Sequence, residues 1–318
     1  MTDPIRLGTR SSLLALTQSR WVAERLTAAL GREVELVEVT TTGDRDGSPL
    51  AQLGGTGVFV SALREALLDG RIDVAVHSLK DLPTAEAAGL ALAATPLRED
   101  PRDVVVARDG LTLGELPAGS RVGTGSPRRA AQLHALGLGL EIVDIRGNVD
   151  TRIRKVREGA YDAVLLARAG LARIGRLEEA TEVLDPLQML PAPGQGALAV
   201  ETRDDHFATE VAVLDDTRTR AAVTAERAVL ATLEGGCAAP IGALAEVAEG
   251  DHDEELWVRA VALSPDGTLA VRMSATGDPA DAAGVGSRLA SAMLDEGAAQ
   301  LTDTPHEQPV TDCERQEA

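Results

Sequence analysis

The 318-residue sequence predicts an α/β protein: two doubly wound domains followed by a smaller α+β C-terminal domain. Three observations predict it. Short apolar runs of strand character alternate with helical runs from Ile5 to Leu82. The same alternation starts again near Val122 and continues to Leu166. After a long helical stretch from Thr217, three strand-like runs follow one another without a helix between them.

The elements read in order as follows. Ile5–Gly8 is a short strand, and a helix from Ser12 to Leu30 carries Leu14, Trp21, Val22, Leu26 and Leu30 on one face before Gly31 stops it. Val34–Val39 alternates as a strand. Thr40–Gly57, rich in glycine and polar residues, reads as a long mobile loop. A helix over Phe59–Leu68 ends at Gly70, and Ile72–Val76 is an apolar strand. Strands are expected at Leu90–Ala94 and Asp103–Ala107. The second alternation has a strand near Val122, a helix from Ser126, a strand at Leu140–Ile145, a helix from Asn148 and a strand at Ala163–Leu166. Asp100-Pro101-Arg102 and Leu190–Gly196 read as crossings between the two domains, with Ala197–Glu201 returning to the first. A helix from Thr217 to Leu233 leads to strands at Ile241–Val247, Glu255–Ala262 and Thr268–Ser274, the last two flanking a Ser264-Pro-Asp-Gly267 turn, and a helix from Pro279 to Asp295 closes the unit. The domains expected are 1–97 with 194–215, 101–190 and 217–300, followed by a disordered acidic tail over 301–318.

Composition narrows the function. No apolar run approaches the roughly 18 to 20 residues of a membrane helix, and the opening Met1-Thr-Asp-Pro-Ile-Arg holds no signal-peptide core, so a cytoplasmic protein without a membrane partner is expected. Net charge is -19, and Lys80 and Lys155 are the only lysines. An acidic, nearly lysine-free surface suggests a salt-loving source, where ions screen self-repulsion. Residues 1–200 carry 23 basic and 26 acidic side chains, whereas residues 201–318 carry 8 and 24. The first two-thirds have kept their arginines, which argues for an anionic ligand there and against nucleic acid. Cys237 and Cys313 form neither a disulfide framework nor a metal-ligand spacing, so a reducing compartment and no metal are expected.

In doubly wound sheets, ligands sit at the carboxyl ends of strands. Four polar clusters fall there: Thr9–Ser12, His77–Pro83, Gly123–Arg129 and Arg146–Arg152. Hydroxyls and glycines at helix starts expose backbone N–H groups to anions, and Ser126-Pro127 pairs a helix cap with a first-turn proline. Arg10, Arg128, Arg129, Arg146 and Arg152 could form a rack for a ligand with several carboxylates, since the guanidinium fork binds each with two hydrogen bonds. Adjacent arginines also make plain ion pairs. Asp81, between Lys80 and Pro83, suits stabilisation of a cation and proton exchange with a leaving amine; a cap or a Lys–Asp pair is the plainer alternative. Cys237 closes Glu234-Gly-Gly-Cys, where two glycines permit close approach, although a free cysteine is more often a small buried hydrophobe. His77 reads as structural, and Gly194-Gln-Gly196 is too short to count as a phosphate loop.

Taken together, HSLKDLP at 77–83, GTGSPRR at 123–129, RGNVDTR at 146–152, PAPGQGA at 191–197 and EGGCAAPIG at 234–242 resemble the hydroxymethylbilane synthase (porphobilinogen deaminase) family, as do LGTRSSLLAL at 7–16 and EDPRD at 99–103. The likeness runs from residue 5 to 297, in family order. It implies a three-domain fold whose first two domains are similar to periplasmic solute-binding proteins, and a monomer. It implies a dipyrromethane cofactor joined by a thioether to Cys237, onto which four porphobilinogen molecules are added with loss of ammonia before hydrolysis releases hydroxymethylbilane, a step of tetrapyrrole biosynthesis. By the same resemblance Asp81 is the catalytic carboxylate. Cofactor-binding positions are Arg10, Ser12, Ser78, Lys80, Thr124, Ser126, Arg128, Arg129, Arg146 and Asn148, and substrate-binding positions are Arg10, Arg146, Arg152 and Arg173. Many relatives carry lysines where this chain has Gln52 and Thr56, and Gly125 and Pro127 also depart from the commoner residues. A solute-binding protein would share the two lobes but give Cys237 no role. A thiol-dependent transferase of another class would need a base, for which His77 is the obvious partner.

Overall fold

The structure is a computed structural model that describes residues 3–39, 57–204, 206–233, 239–250 and 253–302. The chain opens with β1 (Ile5–Thr9), α1 (Leu13–Leu30), β2 (Val34–Glu38), α2 (Gly57–Leu68), β3 (Val74–Ser78) and β4 (Leu90–Ala94). It continues with β5 (Asp103–Ala107), β6 (Arg121–Gly123), α3 (Pro127–Ala135), β7 (Glu141–Val143), α4 (Val149–Arg157), β8 (Ala163–Ala167), α5 (Arg168–Arg173) and β9 (Glu182–Val183). It ends with β10 (Leu198–Arg203), α6 (Ala208–Val211), α7 (Thr217–Thr232), β11 (Ile241–Glu249), β12 (Glu254–Leu263), β13 (Ala270–Gly277), α8 (Ala282–Asp295) and α9 (Ala298–Thr302).

Local chemistry explains most helix starts. Ser12, Ser126, Asn148 and Asp216 each accept the backbone N–H three residues on, satisfying donors that the first turn leaves open. Gly31 ends α1 with φ 63°, and its N–H donates to Thr27 O. The buried face of α1, Val22 and Leu26, packs on Ile5 and Leu7 of β1. All four are at 0% exposure, and each such side chain contributes roughly 1.5–3 kcal/mol.

Two five-stranded sheets share one plan. The first has the order β2-β1-β3-β10-β4 and the second β7-β6-β8-β5-β9. In each, three parallel strands are followed by one antiparallel strand and then an edge strand: β10 runs against β3 and β4, and β5 against β8 and β9. The reason lies in the crossings. Leu198, at the start of β10, pairs with Ser78 at the end of β3, and Asp103, at the start of β5, pairs with Ala167 at the end of β8. The chain thus enters each sheet from the edge where its parallel strands finish, so the entering strand must run backwards. This reversal is what strand and helix alternation alone does not predict.

The third sheet, β11-β12-β13, is antiparallel and covers α7 and α8 with a core that includes Val229, Val258, Ala260, Leu289 and Met293. Its other face meets α3, where Ala131, Leu190, Leu244, Val261 and Leu263 form one cluster. The β12–β13 turn presses so closely on α3 that a Cβ at Gly267 (φ +70°) would stand 2.4 Å from Ala131 O. Glu226 of α7, at 0% exposure, receives Arg98 (2.6 and 3.0 Å), Gly194 N (2.6 Å) and Ala245 N (2.8 Å), tying both crossings to the third sheet.

Several boundaries differ from expectation. β3 begins at Val74 rather than Ile72, because Ile72 packs as a core residue and Asp73 turns its carboxylate to the N–H and guanidinium of Arg6. β7 covers only Glu141–Val143, and Pro279–Asp281 form a 3-10 turn before α8 starts. The short helix α5, which follows β8 without a loop, and the edge strand β9 were not expected. The loop expected over Thr40–Gly57 lies, up to residue 56, outside the described residues, as does the tail beyond residue 302.

Candidate active site

All four polar clusters stand at the ends of parallel strands, after β1, β3, β6 and β7. Asp81 closes a single 3-10 turn, Leu79–Asp81, which is held on every side. Leu79 is buried and its N–H donates to Ala197 O at 3.0 Å, while Leu82 N returns to Leu79 O at 3.1 Å. Leu82, restricted by Pro83, is extended. From α7, Arg227 donates to Leu82 O (3.1 Å) and Pro83 O (2.6 Å), fixing the carbonyls just past Asp81.

Asp81 lies where two hollows meet. One is lined by Arg10 and Ser12 after β1, Gln18 of α1, and His77 and Ser78 at the end of β3. The other is lined by Lys80, Ser126, Arg128, Arg129, Arg152 and Gln195, with Ala239 and Ile241 from the third unit. Ser12 caps α1 by accepting Ala15 N, and Ser78 accepts from Gln18 Nε2 at 3.1 Å.

The floor of the second hollow is a buried charge cluster. Asp103, at 0% exposure, takes Arg128 Nη2 at 2.8 Å and Arg129 Nη2 at 2.7 Å, together with Gln195 Nε2 at 2.8 Å. Burial alone would raise the Asp103 carboxyl; Arg128 and Arg129 outweigh it and hold it well below the usual carboxylate range. The two guanidiniums also donate to Leu190 O (2.6 Å) and Leu165 O (3.0 Å). Two cations against one carboxylate leave one positive charge in surplus. Burial, reinforced by Arg129, pushes the Lys80 ammonium down to about 8 against the opposing pull of Asp81 and Asp103. Arg152 is lowered by the same two causes, burial and then Arg129, and its Nε donates to Gly147 O at 2.8 Å.

The predicted residues therefore separate. Arg10, Ser12, Ser78, Lys80, Asp81, Ser126, Arg128, Arg129 and Arg152 line the paired hollows. Four others line neither. Thr124 is buried and accepts Ser126 N, and Asn148 caps α4 through Thr151 N. Arg146 is half exposed beside Asp144 at 3.0 Å. Arg173 reaches the crossing, donating to Gly196 O at 2.6 Å, and burial pushes it down to about 10. Arg128 and Arg129 differ from the rack expected of them: their forks are engaged by a carboxylate of the protein itself, because buried cations need an internal partner. Cys237, Gln52 and Thr56 lie outside the described residues. No helix among the described residues is long and apolar enough to cross a membrane, and no metal-binding cluster is found among them.

Sequence reasoning missed Asp103, Gln18, Gln195 and Arg227. A lone acid opening the apolar run Asp103–Ala107 was a signal for the first, since a buried carboxylate demands cations. His77 has the structural place expected, with Nε2 3.2 Å from Glu201 Oε2 behind the turn. Glu201 also takes Arg64 at 2.7 and 3.0 Å; burial opposes ionisation, and His77 and Arg64 bring the carboxyl down to about 2.

Known proteins place this site in context. The family model described as porphobilinogen deaminase, dipyromethane cofactor binding domain, matches residues 5–210, and the one for the porphobilinogen deaminase C-terminal domain matches residues 220–295. Porphobilinogen deaminase of Mycobacterium avium (strain 104) is 56% identical over 313 residues, covering 96% of this chain and 99% of that relative. That of Nocardia farcinica (strain IFM 10152) is 57% identical over 305 residues, covering 94% and 88%. Among solved structures, an ABC-transporter periplasmic substrate-binding protein from Coxiella burnetii aligns with TM-score 0.42 and 14% identity over 66% of this chain and 89% of that one. Two family models spanning the folded chain, and relatives sharing more than half of its residues end to end, place it: the chain belongs to the porphobilinogen deaminase family.

Proposed function

We propose that this chain joins four porphobilinogen molecules head to tail, with loss of ammonia, and releases hydroxymethylbilane by hydrolysis, with Asp81 as catalytic carboxylate and Cys237 as covalent anchor of a dipyrromethane. Membership of the family, with its cofactor-binding domain, makes it an enzyme of tetrapyrrole synthesis. The carrying observation for the residue roles is that Asp81 stands at the junction of two cation-lined hollows.

The residues present fit a dipyrromethane, whose two rings bear four carboxylates. The donors facing the hollows include cations and hydroxyls, Asp103 neutralises only one of two buried guanidiniums, and Arg128 Nε is buried with no hydrogen-bond partner among the described residues. Ala239, two residues along the chain from Cys237, lines the same hollow as Asp81 and Arg129. When bound, the group supplies an electron-rich pyrrole carbon at the growing end. The protein's own part is electrostatic and positional. Lys80, Arg129 and Arg152, with the Ser126 hydroxyl, hold acetate and propionate groups by charge-assisted hydrogen bonds, and Arg10 and the hydroxyls of Ser12 and Ser78 stand on the other side of Asp81. The Asp81 carboxylate accepts pyrrole N–H, offsets the positive charge that develops on porphobilinogen as ammonia departs, and exchanges a proton with the leaving amine at its Oδ atoms.

Around this site we read three units, 1–97 with 194–215, 101–190 and 217–300, forming a cytoplasmic monomer that needs neither nucleic acid nor membrane. The acidic, nearly lysine-free composition supports a salt-adapted surface. The test is an intact mass of protein made with porphobilinogen available. It is expected to exceed the chain mass by one dipyrromethane, with the increment absent in Cys237→Ser; an unmodified wild type removes the covalent reading.

A further inference from the structure

The Gly194-Gln195-Gly196 segment borders the second hollow through Gln195. It is the point where the two crossings touch: Glu99 N donates to Gly196 O at 3.2 Å, and a Cβ at Gly196 (φ +88°) would lie 2.3 Å from Glu99 O. Gln195, 1% exposed, sends its amide in both directions from that point. Its Nε2 donates to Pro101 O (2.7 Å) and Asp103 Oδ1 (2.8 Å), and its Oε1 accepts from Lys80 Nζ (3.3 Å). A primary amide offers two N–H groups and one carbonyl, and all three functions are used here. Glutamate could accept from Lys80 but would oppose Asp103, and an apolar side chain could do neither.

We infer that Gln195 is a positioning residue for the reaction, holding the Lys80 ammonium beside Asp81 with one end of its amide and the Asp103–Arg128–Arg129 cluster across the hollow with the other. This rests on the reading of Asp81 and the cation-lined hollows given above. Among the charged groups of the described residues, Asp81 and Asp103 favour the charge of Lys80, and Arg128 and Arg129 oppose it. Gln195 is a neutral acceptor of that ammonium, and its loss shifts the balance, because an ammonium already lowered by burial loses an acceptor.

The test compares wild type, Gln195→Met and Gln195→Glu as holoenzymes, reading the intact mass, kcat, and the alkaline limb of the kcat/KM–pH profile. Gln195→Met is expected to keep its adduct, to lose about tenfold in kcat, and to move the alkaline limb down by about one pH unit as Lys80 gives up its proton sooner. Gln195→Glu keeps an acceptor, adds a negative charge, and is expected to move the limb up by a similar amount. Opposed shifts are a signature that mere loss of packing does not produce. Alkaline limbs that coincide with wild type in both variants overturn the inference, whatever happens to kcat. If Gln195→Met does not fold, Gln195→Glu decides alone, and a limb at or below the wild-type position overturns it. A wild type that carries no adduct and releases no ammonia from porphobilinogen instead defeats the functional reading, so the two failures are distinguishable.

Discussion

The first and second sheets follow one strand plan, yet they use a carboxylate in opposite ways. In the first, Asp81 sits on a half-buried turn with space on both sides. In the second, Asp103 is sealed, with two guanidiniums and an amide on it. The chemistry of the two side chains is identical; burial and partner number set them apart. A sealed carboxylate with both oxygens engaged serves as a fixed counter-ion that aims its arginines. One left partly open at the junction of two hollows is available to a ligand's N–H groups and developing charge.

The comparison breaks most sharply at Asp81. Asp81→Ala is expected to lower turnover by about a thousandfold or more while unfolding as wild type does, the loss typical of removing an electrostatic and proton-transfer group. Retention of most activity in a steady-state assay removes Asp81 from its role. Asp103→Ala should do the reverse, striking stability first. Two buried guanidiniums lose their partner, which costs about 3–5 kcal/mol, readable from denaturant unfolding; a loss below about 1 kcal/mol shows that the cluster is not the fixed counter-ion described. The smallest effect concerns Glu201, behind the Asp81 turn. Its folded pKa of about 2 lies below the ordinary 4.5. Its stabilisation is thus fully present above pH 4.5 and is lost as pH falls towards 2, amounting to about 3 kcal/mol. Glu201→Gln should flatten the stability curve across that interval, and an unchanged slope assigns the acid sensitivity elsewhere.

What was legible in the sequence was mainly what short-range bonds decide. Ser12, Ser126 and Asn148 begin their helices because a cap bond spans three residues, so cap and helix are read together. The strand-end position of the four clusters followed from strand order, and Asp81 and its neighbouring cations were legible as residue types. Their allocation was not. Arg128 and Arg146 look alike in sequence, yet one is buried against a carboxylate 25 positions away and the other stands half exposed beside a neighbour two positions away.

By itself the sequence determined the succession of strands and helices, their caps, the family to which its motifs belong, and a surplus of arginine where an anionic ligand is expected. Only the tertiary structure decided that β5 and β10 run backwards, that Asp103 engages both arginines of α3, and that Gln195 reaches Lys80 from 115 positions away. The reason is physical. A cap or a turn closes within one segment, whereas the field at a charged group depends on burial and on partners supplied by several segments. Those distances exist only once the segments have packed together.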